Sequence, residues 1–371
     1  MMKEKKIPPL RIDDIQAPVP IVQGGMSVGI SLGGLASAVA NAGGIGVIGA
    51  AGLGASEPDI SVNWDMANKR ALKREIRMAR RISDGLIGIN IMMALSDYDT
   101  IIKTSFEEGL DIVFIGSGLL LRLPDTLDMD ELKEQKTKII PIVSSAKGAR
   151  IMFTYWAKNY DHVPDGVVLE GPLAGGHLGF TKEMIDDPQF ELENLLPQTL
   201  EVIEPFREKF DKDIPVIPAG GIYTGEDIYR FMKMGASGVQ MATRFVATHE
   251  CDASYAFKEM YINAKKDDLT IIQSPVGMPG RAINSDFLRS VARGEKIPFN
   301  CGWKCLRTCN YKEAPYCIAL ALNYAKWGKM DEGFAFAGEN VYRVERLMKV
   351  QELIDELVEG YEKAAEADQE E

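Results

Sequence analysis

The sequence predicts a (β/α)8 barrel followed by a mostly helical, cysteine-containing C-terminal extension. Between about residues 19 and 265, eight short apolar runs alternate with eight helical segments. The runs are apolar on both faces, as strands covered on both sides must be. The stretch they occupy is close to the roughly 250 residues that such a barrel takes. A doubly wound sheet is the competing arrangement. Its dinucleotide fingerprint would place Gly-x-Gly-x-x-Gly after the first strand. Here that strand ends Gly24-Gly-Met-Ser-Val-Gly29, without that spacing. The expected organisation is a lead-in over 1–18, a barrel over 19–290 and an extension over 291–371.

Pro18 and Pro20 bracket entry to the first strand, 20–23. Ser31 to Ala42, rich in Ala and Leu, is the first helix, stopped by Gly43-Gly44. Strand two is 45–50. Helix two is 63–82, with Met66, Ala67, Ala71, Ile76, Ala79 and Ile82 on or near one stripe. Strand three is 86–91, ending at Asn90-Ile91, and 98–108 is helical, stopped by Gly109. Strand four is 111–115, and Pro124 to Gln135 is its weaker helix. Strand five is 139–143, with a helix over 146–156. Strand six, 167–169, leads into a Gly-rich loop. A helix over 192–210 is interrupted or kinked by Pro197 and Pro205. Strand seven is 214–218, followed by a helix over 224–234 with Thr224 as its N-cap. Strand eight is 238–241. Beyond it come a Pro/Gly loop (273–281), a Cys-rich segment (301–317), a stretch over 319–327, a Phe/Gly turn and a terminal helix around 343–364. The last residues are expected to fray.

A net charge of -12 leaves no excess of Lys and Arg for phosphates, which argues against a general nucleic-acid binder. No apolar run reaches about 18–20 residues without a charge, so no transmembrane helix is expected. The basic N-terminus leads into Ile7-Pro-Pro-Leu-Arg and not into an apolar signal core. An odd count of five cysteines, four clustered late, is unlike a secreted disulfide framework. A cytoplasmic protein acting on a small molecule is expected.

Only three histidines occur, at 162, 177 and 249. His177 follows Gly175-Gly176, where no bulky neighbour blocks a ligand, at the strand-to-loop edge where α/β enzymes place their chemistry. Imidazole suits proton transfer near neutral pH. A Gly-rich turn with an incidental surface histidine is the plain alternative, and a surface role is expected for His249. The other strand ends are dominated by small residues, including Gly24-Gly25, Gly116-Ser-Gly118 and Gly220-Gly221. Such ends let backbone N–H groups approach a ligand closely. Gly220-Gly221 and Met241-Ala-Thr243 stand where barrels commonly bind phosphate.

The segments Pro20-Ile-Val-Gln-Gly-Gly-Met26, Asn41-Ala-Gly-Gly-Ile-Gly46, Gly88-Ile-Asn-Ile91, Ala174-Gly-Gly-His-Leu-Gly179, Pro218-Ala-Gly-Gly-Ile222 and Gly235-Ala-Ser-Gly-Val-Gln-Met-Ala-Thr-Arg-Phe245 resemble the nitronate monooxygenase (2-nitropropane dioxygenase) family. They also resemble its relative, the flavin-dependent enoyl-ACP reductase of type II. The resemblance covers roughly 15–290 and implies a barrel holding FMN non-covalently. By motif, Gly25 and Met26 would lie under the flavin ring. Asn90, Glu170, Gly175, Gly176, Gly220, Gly221, Gln240, Met241, Ala242 and Thr243 would contact the cofactor. His177 would be the catalytic base toward an alkyl nitronate, with O2 as oxidant. In the reductase reading it would sit near an enoyl thioester, with NAD(P)H as reductant. Three departures stand out: Glu170 where the monooxygenases commonly carry Gln and Leu173 for a Glu, which bear on the substrate, and Ala242 for a Gly in the phosphate loop, whose backbone N–H remains available. Gln23-Gly-Gly-Met26 leans toward the reductase, since a Pro-Met pair is commoner in the monooxygenases.

Cys301, Cys305, Cys309 and Cys317 form the second constellation. Their spacing of four would set the first three along one helix face. Four thiolates could hold zinc or an iron–sulfur cluster. Reduced cysteines packed against the barrel are the alternative. With a cluster, an electron-transfer subunit becomes a further reading of the whole chain. The Met and Leu stripe over 344–357 is expected to pack on the barrel or on a second copy of the chain.

Overall fold

Eight parallel strands close on themselves in the computed structural model, which describes residues 7–124 and 135–370. Before them comes a hairpin, β1 (Leu10–Ile12) and β2 (Ile15–Ala17). The barrel strands are β3 (Ile21–Gln23), β4 (Gly46–Gly49), β5 (Ile87–Met92), β6 (Ile112–Gly116), β7 (Lys138–Val143) and β8 (Val167–Glu170). A short strand β9 (Gly176–His177) intervenes before β10 (Val216–Ala219) and β11 (Val239–Met241). The order around the sheet is β3-β11-β10-β8-β7-β6-β5-β4. Closure comes from a parallel bridge between Val22 and Ile45, with Gln23 N–H donating to the Ile45 carbonyl at 2.9 Å. The predicted barrel is therefore the fold. Its strands fall within about two residues of the apolar runs.

Inward side chains, among them Val22, Val47, Phe114, Ile140, Val168 and Ile217, fill the interior. The expected lead-in is the β1–β2 hairpin, which drives Leu10, Ile12 and Ala17 into that same cluster. Lys138 at the start of β7 binds Asp13 and Asp14 of the hairpin turn, each at 2.6 Å, so the plug closes the N-terminal end.

The surrounding helices are α1 (Gly33–Asn41), α2 (Trp64–Ile82), α3 (Tyr98–Glu107), α4 (Ala146–Asn159), α5 (Leu192–Phe210) and α6 (Gly225–Lys233). Ser145 caps α4 by accepting from Gly148 N–H. Thr224 and Asp227 cap each other's backbone at the start of α6. Two details differ from expectation. Met66 and Ile82 of α2 are exposed, and Leu72 occupies the buried stripe instead. Helix α5 runs unbroken through Pro197 and Pro205, because Leu195, Leu196, Val202 and Ile203 anchor one face along its length. The helix expected at 124–135 falls on residues 125–134, outside the described residues.

Beyond the barrel lie α7 (Tyr255–Asn263), α8 (Asp286–Ala292), α9 (Ile318–Lys326) and α10 (Val350–Glu370). The Pro/Gly stretch at 273–281 is not a plain loop. It links and completes the strands β12 (Leu269–Gln273) and β13 (Pro279–Ile283). The terminal helix starts at Val350 and packs on α6, where a Cβ on Gly225 would stand 2.3 Å from the Leu357 carbonyl. Its acidic end is held, not frayed: Asp368 accepts from Tyr229 at 2.8 Å and pairs with Lys233. No helix among the described residues is long and apolar enough to cross a membrane.

Candidate active site

The C-terminal ends of the strands open into one cavity of about 840 Å³. Its barrel side is built from small residues. A Cβ on Gly25 would fall 2.5 Å from Asn90 Cβ, and one on Gly175 would fall 2.4 Å from the Ala337 carbonyl carbon. Both positions therefore need glycine for close approach of chain to chain. Gly24, Met26, Asn90, Glu170, Gly176, Gln240, Ala242 and Thr243 also face the cavity. Gly220, Gly221 and Met241 do not. Met241 is buried in the core, and Gly220 and Gly221, both at positive φ, turn beneath Leu173 and Ala174.

His177 reaches the cavity because Gly176 adopts φ 85 and β9 adds to β13 as the third strand of a small sheet, pairing His177 with Gly280. Its Nε2 lies 2.8 Å from Ser274 Oγ, and its ring centroid lies 5.1 Å from that of Phe336. Burial lowers His177 to about 4, so the imidazole is neutral at pH 7. Burial pushes Glu170, at the end of β8, up to about 7. Ser274 Oγ also accepts from Val276 N–H at 3.4 Å, so its own proton can point at Nε2, an arrangement that would put the neutral ring's proton on Nδ1.

The far side of the cavity was not legible as a site. Tyr261, Phe336 and the 337–338 backbone line it, and Ser274 stands behind His177, from segments read only as loop, helix and turn. Gly338 N–H donates to Thr243 Oγ1 at 3.0 Å, and Asn340 donates to the Gly221 carbonyl at 2.6 Å. Arg281 is locked between Glu339 and the Pro172 carbonyl. The only signal was the Phe/Gly pattern of 333–338, which carries no chemistry by itself. His249 is exposed, as expected.

A flat cofactor fits this space on two grounds. The volume exceeds what a bare substrate needs, and glycine backbone with uncharged polar side chains lines the strand-end side. Among the described residues, no group of three or more His, Cys, Asp or Glu is spaced to hold a single metal ion.

The family model described as nitronate monooxygenase matches residues 9–360. A (3aS,4S,5R,7aS)-5-hydroxy-7a-methyl-1-oxo-octahydro-1H-indene-4-carboxyl-CoA dehydrogenase of Rhodococcus jostii is 27% identical over 272 residues, covering 73% of this chain. The match takes in 64% of that protein, so the chain spans less than two thirds of its length. A probable nitronate monooxygenase of Staphylococcus aureus is 26% identical over 308 residues, covering 74% of this chain and 78% of that one. Among solved structures, FabK from Thermotoga maritima is similar with a TM-score of 0.72 and 27% identity over 95% of both chains.

Proposed function

We propose that this chain, which belongs to the nitronate monooxygenase family, is an FMN-dependent oxidoreductase that oxidises small alkyl nitronates with O2 at the barrel mouth. The observation that carries this reading is His177, held neutral in a largely apolar cavity with Nε2 directed at Ser274. A nitronate arrives already deprotonated, and a neutral imidazole does not reprotonate it. Nε2 is the atom that accepts a proton when the substrate still carries one alpha to its nitro group. The low pKa makes it a weak base for that step, so the anion is the better substrate. Lys147 on the cavity rim offers the anion a positive charge.

In this reading Gly25 and Met26 lie under the flavin ring, with Asn90, Glu170, Gly175, Gly176 and Gln240 around it. Ala242 and Thr243 hold the phosphate end, and Gly220, Gly221 and Met241 shape the loops behind it. Bound FMN would supply the two-electron redox chemistry that none of these side chains can. Glu170, held near 7, can donate a hydrogen bond where a carboxylate could only accept one. The five cysteines carry no disulfide, in keeping with a reducing cytoplasm.

The second reading is reduction of an enoyl thioester with NAD(P)H. The Gln23-Gly-Gly-Met26 sequence at the mouth favours it. Anaerobic bleaching of the flavin separates the two. Bleaching by an alkyl nitronate is the expected result, and bleaching by the neutral nitroalkane, which needs Nε2 as base, should be slowed about 10²–10⁴-fold in His177→Ala. Bleaching by NAD(P)H with none by nitronate would overturn the nitronate reading in favour of the thioester.

A further inference from the structure

The segment between α8 and α9 gathers four thiols that neither reading of the active site uses. Residues 301–316 form no helix, so the four-residue spacing is not what unites them. The chain folds back through turns instead. Leu306 bridges to Leu95, Ser96 N–H donates to the Cys305 carbonyl at 3.0 Å, and Lys304 adopts φ 47. Trp303 packs on Trp64 with ring centroids 5.4 Å apart, closing one side. The fold brings the four thiols near one another: Cys305 feels the charge of Cys301, Cys309 and Cys317, Cys317 that of Cys301 and Cys309, and Cys309 that of Cys301. All four are half-buried and none is in a disulfide.

Cys305 and Trp303 pack against the apolar cluster of Ile60, Trp64 and Ala67. Four thiolates gathered beside such a wall would need a cation among their sulfurs. Two further features suit an anionic metal–thiolate group. Cys317 is the N-cap residue of α9, and the N–H groups of Leu320 and Ala319 face its sulfur. N–H···S contacts of this kind tune iron–sulfur centres. The segment 301–317 also carries Lys304, Arg307 and Lys312 against a single acid, Glu313, in a chain of net charge -12.

We propose that Cys301, Cys305, Cys309 and Cys317 ligate an iron–sulfur cluster in the wall of the mouth cavity. A single zinc ion, with Zn–S bonds of about 2.3 Å, needs its sulfurs almost in contact. No three of the described candidate ligands stand at single-ion spacing. A cluster places several irons and sulfides between the thiolates and accepts a wider set. Cys305 also lines the mouth cavity, which sets the cluster beside the oxidoreductase site. The inference is independent of whether a nitronate or a thioester reacts there.

The test uses the full chain purified without oxygen. Iron and acid-labile sulfide in near-equal amounts, several per chain, are expected. A broad visible absorbance beyond that of flavin and a paramagnetic signal on dithionite reduction should accompany them. Cys305→Ser and Cys309→Ser should lose all of these while keeping bound FMN, and Cys251→Ser should lose none. Should those variants fail to fold, thiol labelling of the native protein decides. Iodoacetamide should spare the four thiols until a chelator strips the iron, and then modify them. Failure to take up iron and sulfide on anaerobic reconstitution, one zinc per chain in their place, or equal labelling before and after chelation would each overturn the proposal.

Discussion

At the floor of the barrel, Leu10 and Ile12 enter the interior completely buried, and charges at that end are paired, Lys138 with Asp13 and Asp14 and Lys212 with Asp165. At the mouth, the same strands end in glycines packed too closely for a Cβ, and two titratable groups stand without a charged partner. The floor is ordinary core, and its energy is that of apolar burial. The mouth holds a histidine and an acid at the cavity wall, and burial shifts each toward its less costly neutral form. Stability is concentrated at one end and chemistry at the other, and the two should respond differently to substitution.

The largest expected effect tests that division directly. Leu10→Ala should cost about 2–5 kcal/mol in urea unfolding, because it leaves a cavity in the plug. The flavin affinity of the molecules that remain folded should be unchanged. Gly25→Ala at the mouth should cost about 1–3 kcal/mol by overpacking against Asn90, and should in addition release flavin. Equal losses of flavin in the two variants would erase the distinction between the ends.

The next effect lies within the mouth. Glu170 has an ordinary value of 4.5 and is held at about 7, so the folded state keeps a proton that the unfolded chain releases. Its contribution is full below its ordinary value and is lost as pH rises from about 4.5 to about 7. His177, lowered from 6.5 to about 4, acts in the opposite sense. The unfolded chain takes up a proton that the folded one refuses, so stability is lost as pH falls from 6.5 to 4. The two slopes oppose each other where the windows overlap. Glu170→Gln should remove one of them. The variant should match the parent at pH 4.5 and exceed it by at most about 3 kcal/mol above pH 7. A gain that stays constant across this range would mean that Glu170 is not held neutral by burial.

The floor and the barrel side of the mouth were both written in local pattern. Apolar runs such as Ile45 to Ala50 announced strands, and Gly175-Gly-His177 announced the loop that carries the histidine. The lead-in was missed as a hairpin because Leu10, Ile12, Ile15 and Ala17 alternate too briefly to stand out from a polar terminus. The far wall was missed for a different reason. Ser274, Phe336 and Gly338 lie about 100 to 160 residues from His177, and nothing in their own neighbourhoods signals that β9 and β13 pair. The cysteines show both sides of this. Their presence was plain, but the helix inferred from their spacing is replaced by turns, since Gly302, Asn310 and Pro315 favour bends over a continuous helix.

The smallest effect concerns the contact that joins the legible wall to the hidden one. Ser274 Oγ, 2.8 Å from His177 Nε2, is buried and belongs to the turn between β12 and β13. Removing a hydrogen bond of this kind costs about 1 kcal/mol. The low His177 pKa comes from burial and not from Ser274, so it should stay near 4 in Ser274→Ala. The hydroxyl sets which ring nitrogen carries the proton, so the tautomer balance should shift instead. Nitrogen NMR of labelled histidine in the parent should find the proton on Nδ1, and in Ser274→Ala a mixture. Turnover should fall by about tenfold, the equivalent of about 1.4 kcal/mol, and by far less than in His177→Ala. A serine that only filled space would leave the tautomer unchanged. A change in the tautomer with an unshifted pKa would show that the late hairpin aims the histidine while the barrel sets its charge.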